Sequence, residues 1–123
     1  MAEIIKTSIP FGAKSAAITF TAATGTDYFE PQNADSRVSI LIKNDNTQSA
    51  TITFKAGDGA LSSLGDIDVT VAGGAQCFVP LTRLESARVK VLSGEDKGKI
   101  IVSTAVETGG TVGNVSFAVL SVE

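Results

Sequence analysis

Short apolar–polar alternations, each cut off by a glycine- or Asx-rich turn, constrain this chain more than any other feature. Val38, Ile40 and Ile42 alternate with Arg37, Ser39, Leu41 and Lys43, and Ile52 and Phe54 alternate with Thr51, Thr53 and Lys55. Ile67, Val69 and Val71 alternate with Asp66, Asp68 and Thr70, and Cys77, Val79 and Leu81 with Gln76, Phe78 and Pro80. Val89 and Val91 alternate with Arg88 and Lys90, while Ile18-Phe20 and Tyr28-Phe29 are shorter pieces of the same kind. A period of two places each apolar set on one face of a strand. Between the runs lie "NDNTQS" (44–49), "GDGALSSLG" (57–65), "SGEDKG" (93–98) and "ETGGTVGN" (107–114), all turns by composition. Gly73-Gly74 reads as the reversal of a β-hairpin, because glycine takes positive φ freely. Pro80 has no N–H to donate and belongs at a strand end or an edge. "TRLESARV" (82–89) has helical spacing at Leu84, Ala87 and Arg88 but is short, and reads as a turn leading into a strand.

Many short strands with polar turns at regular spacing predict an all-β fold. The expected architecture is an antiparallel β-sandwich, Ig-like or jelly-roll-like, of seven to nine strands. Residues 1–15 form an extended N-terminal arm and residues 16–123 a single domain. The 123 residues suffice for a core without staples, and a hydrophobic content of 43% argues against disorder. Two stretches, "KIIVSTAV" and "VSFAVLSV", are apolar on both faces: Ile100 and Val102 oppose Ile101 and Ala105, and Val115, Phe117 and Val119 oppose Ala118, Leu120 and Val122. Such strands are covered on both sides, by the chain's own loop or arm or by another subunit. The candidate assembly interface is therefore the arm residues Ile4, Ile5, Ile9 and Phe11, the pair Leu120 and Val122, and the arginines Arg83 and Arg88 as ion-pair partners across a subunit boundary, although the ordinary reading of both arginines is as exposed charges.

Reactive chemistry is sparse. The chain has no histidine, which removes Ser-His-Asp and Cys-His catalysis and imidazole zinc sites. The single cysteine, Cys77, sits in an alternating run as a small core hydrophobe and makes an intrachain disulfide impossible. "GEDKGKI" (94–100) is one residue short of a phosphate loop between Gly94 and Gly98, has Ile100 where a hydroxyl belongs, and reads as a solvated hairpin turn. Asp58, Asp66 and Asp68 flank one loop, a weak candidate for calcium without EF-hand spacing. Glu85, Glu95, Asp96 and Glu107 form no readable pair for glycoside hydrolysis. Enzymatic activity and cofactors are not expected. A net charge of -3 without a basic stripe speaks against nucleic acid. No run approaches the ~18 apolar residues of a membrane helix, and "MAEIIKTSIP" lacks the core of a secretory signal. Synthesis in a reducing cytoplasm is the expectation.

"RVSILIKNDNTQSATITF", "DIDVTVAGGAQCFVPL", "ARVKV" and "GKIIVSTA" resemble the small β-sandwich virion proteins of tailed bacteriophages over about residues 37–122. The resemblance is one of strand and turn pattern, with no catalytic signature, and bacterial Ig-like modules share parts of it. It implies a capsid decoration (cement) protein on the outside of a phage head. The implied partners are the major capsid protein or another virion protein and further copies of the chain, with a trimer favoured. The N-terminal stretch "FGAKSAAITFTAATGTDYFEPQNADS" departs from that pattern, which leaves a head–tail or tail component open. An Ig-like adhesion module, binding through the loops at 57–65 and 93–98, is the alternative of a different class.

Overall fold

The computed structural model describes residues 2–9, 12, 15, 17–30, 38–59, 62–81 and 88–122, with the backbone alone at Leu81 and Val122. Ten strands form in chain order: β1 (Ala2–Glu3), β2 (Lys6–Ile9), β3 (Thr21–Ala22), β4 (Thr26–Phe29), β5 (Val38–Asn44), β6 (Ala50–Phe54), β7 (Ile67–Val71), β8 (Gln76–Leu81), β9 (Ile100–Val106) and β10 (Val115–Val122). They build two five-stranded sheets. The first runs β1-β4-β9-β6-β7; the second runs β2-β10-β5-β8, with β3 also on β10. The fold is an all-β sandwich. Its sheets are mixed rather than antiparallel throughout, because β1 pairs with β4 and β2 with β10 in parallel. The expected count of seven to nine strands falls one short, since the N-terminal segment supplies two.

Period-two patterning orients the strands as expected. Along β5 the residues Val38, Ile40, Ile42 and Asn44 are buried and the alternate ones half-buried. Ile52 and Phe54 on β6, Ile100 and Val102 on β9, and Phe117 and Val119 on β10 meet them between the sheets. Each fully buried aliphatic or aromatic side chain contributes about 1.5–3 kcal/mol. Ile18 and Phe20, expected as a short strand, precede β3 and lie outside any ladder. Of the 82–89 stretch only Arg88 and Val89 are described; they have helical backbone, not extended. Lys90 then makes one isolated bridge to Ile100, and the 93–98 turn is closed by Val91 N–H to Lys99 C=O and Gly98 N–H to Val91 C=O.

The largest departure concerns Gly73-Gly74. β7 pairs with β6 in the first sheet and β8 with β5 in the second, so the glycines turn the chain between sheets and close no hairpin. A tight turn needs the same residues in both cases, and composition cannot distinguish them. Gly74 has φ +74°; a Cβ on Gly73 would lie 2.3 Å from the Thr47 carbonyl oxygen. The close approach of two loops is therefore what requires glycine at 73. Asn44, fully buried at the end of β5, ties this crossover down. Its Nδ2 donates to the carbonyls of Gln48 (2.9 Å) and Val71 (3.1 Å), and its Oδ1 accepts the Asn46 N–H at 3.0 Å. Asn46 in turn donates to the Thr111 carbonyl and accepts the Thr111 N–H. Two amides thus join the 45–49, 72–75 and 107–114 connections at one end of the sandwich.

Pro80 lies in β8, an edge strand among the described residues. The Asn44 N–H bonds to the Ala75 carbonyl, so by alternation 77 and 79 turn their backbone toward β5 and 80 turns outward. The missing donor faces away from the ladder and leaves the open edge a poor template for pairing.

Candidate functional site

The residues expected at an interface fall into separate places. Ile4 is fully buried: the chain passes from the first sheet to the second at residues 4–5, and Ile4 points between them. It packs into the core cluster and is not exposed on the outer surface. The missing period in the N-terminal stretch reflects this change of sheet, which reverses the facing of successive residues. Ile5 beside it is 52% exposed. Ile9 is half-buried in β2 opposite Val122, and Leu120 is half-buried opposite Thr7 and Ser39. The N-terminal segment and the end of β10 are thus brought together. Phe11 and Arg83 lie outside the described residues. Arg88 is far from this group in role: its Nε donates to the Gly65 carbonyl (2.7 Å) and its Nη2 to those of Leu64 (3.0 Å) and Asp66 (2.8 Å), holding a loop of its own chain.

The two outer faces differ. On the first sheet Thr51, Thr53, Ser103, Asp68 and Thr70 share the outer rows with Ala105, which is exposed, and with half-buried Ile101 and Tyr28, so the second face of "KIIVSTAV" is only partly covered. On the second, register places Phe78, Leu41 and Ala118 side by side across β8, β5 and β10, and Leu120 adjoins them. Phe78 is 57% exposed, whereas Ala118 is fully covered although it stands outside the core cluster. Residues 17–20 explain part of that cover. The Thr19 N–H reaches the Thr7 hydroxyl at 3.5 Å and the Phe20 ring lies 5.8 Å from Lys43 Nζ, so the segment passes over this face. Ile18 and Phe20 remain 44% and 38% exposed there. The two-faced character of "VSFAVLSV" is therefore met in part by the chain itself. Alternation puts Phe78 on the phase opposite Cys77 without marking it as an interface residue. A large aromatic on the outward phase of an edge strand was the available signal.

The acidic loop is used internally. Asp58 accepts the Leu92 N–H at 2.6 Å and the Ser93 hydroxyl. The Ser93 bond first, then the Leu92 amide, holds its carboxyl below the ordinary carboxylate value. Asp66 accepts the Ala56 N–H and Asp68 the Thr53 hydroxyl, so the three carboxylates point to three different partners. Among the described residues no three His, Cys, Asp or Glu side chains are grouped to hold a metal. Lys99 bonds Asp96 at 3.2 Å and lies 4.3 Å from the Tyr28 ring centre; the Asp96 contact raises its pKa. Cys77 is half-buried on the inner phase of β8. An open groove of about 420 Å³ lies beside the N-terminal segment, lined by Glu3, Ile5, Lys6, Ser8 and Ser121. Comparison of the chain with family models, with curated proteins and with solved structures finds no match.

Proposed function

We propose that the chain is a structural virion protein, a decoration protein that binds the outside of a phage head and braces neighbouring capsid subunits. The observation that carries the reading is the apolar outer face of the second sheet, where exposed Phe78 stands beside half-buried Leu41 and exposed Ile18 and Phe20 lie on the segment over it, set against the more hydroxyl-rich face of the first. Among the outward residues of β2, β5, β8 and β10, Lys43 is the one charged side chain, and it already faces Asp45 at 3.8 Å. A neutral apolar patch on the major capsid protein is the complement of such a face; a strongly charged partner is not. The strand pattern shared with small virion proteins supports the same role. Localisation to the virion, after synthesis in the host cytoplasm, and assembly with further copies, as a trimer, belong to this proposal.

Mixing the purified protein with undecorated heads tests it. Saturable binding and greater resistance of the heads to heat are expected, and Phe78→Ser should weaken binding without lowering the melting temperature of the free protein. Absence of binding by a folded protein, or full binding by the Phe78→Ser form, refutes the assignment of this face.

A further inference from the structure

Among the described residues, the N-terminal segment joins the sandwich as no other part does. Ala2–Glu3 and Lys6–Ile9 make the parallel pairings, on β4 and β10, each at the outside of a sheet. Lifting the segment away leaves the ladders β4-β9-β6-β7 and β10-β5-β8 whole. Its hold is narrow. Ile4 is its one fully buried side chain, and its N–H donates to the Tyr28 carbonyl at 2.8 Å. The Ile5 N–H bonds Thr21 Oγ1 and Lys6 Nζ bonds the Glu30 carbonyl. An open groove of about 420 Å³ lies beside the segment, lined by Glu3, Ile5, Lys6, Ser8 and Ser121 of β10. The connection to β3 comprises residues 10–20. Extended, it reaches at most ~40 Å, well beyond the ~14 Å radius of gyration of a chain this long.

We propose that this edge is a strand-acceptor site for a second copy of the chain. Residues 2–9 of one copy leave their own sheets and seat on β4 and β10 of the next, where the partner's Ile4 fills the same socket. The occupant is identified by the fit. It must supply two short strand registers, one for each sheet, joined at a single buried β-branched residue, and residues 2–9 are such a segment. Identical contacts form within one copy or between two, so exchange conserves the ladders and depends on concentration. The exchange is independent of what the outer face of the second sheet binds.

The test uses full-length chains in a Cys77→Ser background. Glu3 and Tyr28 are register partners, as are Thr7 and Leu120. Chains carrying Glu3→Cys are mixed with chains carrying Tyr28→Cys, held at increasing concentration, and oxidised. A disulfide-linked heterodimer is expected, rising with concentration and falling by about tenfold or more when Ile4→Asp is added to the Glu3→Cys chain. Thr7→Cys mixed with Leu120→Cys reports the same exchange from the other sheet, without disturbing Tyr28. If neither mixture yields heterodimer at any concentration, the proposal is overturned, whether or not chains carrying both cysteines close internally.

Discussion

Replacing Asn44 by alanine probes the step that turns paired strands into a sandwich. The side chain is fully buried and serves four backbone groups, the Gln48 and Val71 carbonyls, the Ala72 carbonyl at 3.4 Å, and the Asn46 N–H. A net hydrogen bond is worth ~1 kcal/mol, and a buried group left without a partner costs ~1–3 kcal/mol. With these groups stranded and some water entering the space, the loss should be about 3–5 kcal/mol. Unfolding entropy near ~2.1 cal/mol/K per residue makes each kcal/mol worth ~4 °C for 123 residues, so the melting temperature should fall by ~12–20 °C. That is a large part of the ~5–15 kcal/mol that stabilises an ordinary domain. Urea denaturation followed by circular dichroism measures it. Asn44→Asp should be no better, because an oxygen would replace the Nδ2 donor opposite three carbonyls. Since Asn46 Nδ2 also donates to Asn44 Oδ1 at 3.0 Å, Asn44→Ala with Asn46→Ala should cost less than the sum of the single changes, by ~0.5–3 kcal/mol. A loss below ~1 kcal/mol for Asn44→Ala, or strict additivity, refutes the view that these amides fasten the loops.

Other perturbations give separate checks. Gly73→Ala drives a Cβ into the Thr47 backbone and should destabilise by ~1–3 kcal/mol, whereas Gly74→Asn, with positive φ and open space, should cost less than ~1 kcal/mol; equal urea midpoints would contradict this. Thr104 Oγ1 is buried without a hydrogen-bond partner among the described residues, so Thr104→Val should be neutral or stabilising by up to ~1–3 kcal/mol, and a clear loss on thermal melting would show the hydroxyl is used. Asp58 is held below its ordinary value of 3.8 in the folded chain, so its contribution is present above that pH and is lost as pH falls through the folded value. Asp58→Asn should flatten the dependence of the melting temperature on pH below about 4, and an unchanged slope would remove Asp58 as its source.

Much of the candidate surface was invisible in the sequence for a definable reason. Leu41 and Phe78 occupy the outward phase of their strands, and the pattern reports that phase. It does not report that they are neighbours across β5 and β8, which depends on a register between segments more than thirty residues apart. Ile4 shows the converse. It looks like any other arm hydrophobe, and only the passage of the chain between sheets turns it inward. Arg88 could be read as a free charge until the loop carbonyls at 64–66 came within its reach.

Backbone periodicity by itself determined that the chain makes strands, which side of each strand is greasy, and where the chain reverses, because these follow from interactions within a few residues. Composition determined the absence of imidazole chemistry, since the chain has no histidine. Which sheet each strand enters was decided by the tertiary structure alone. A Gly-Gly turn serves a hairpin and a crossover equally well, and the choice falls to long-range contacts: the Asn44 amide on the 71–72 carbonyls, the Gly73 backbone against Thr47, and the edge left for a parallel N-terminal strand.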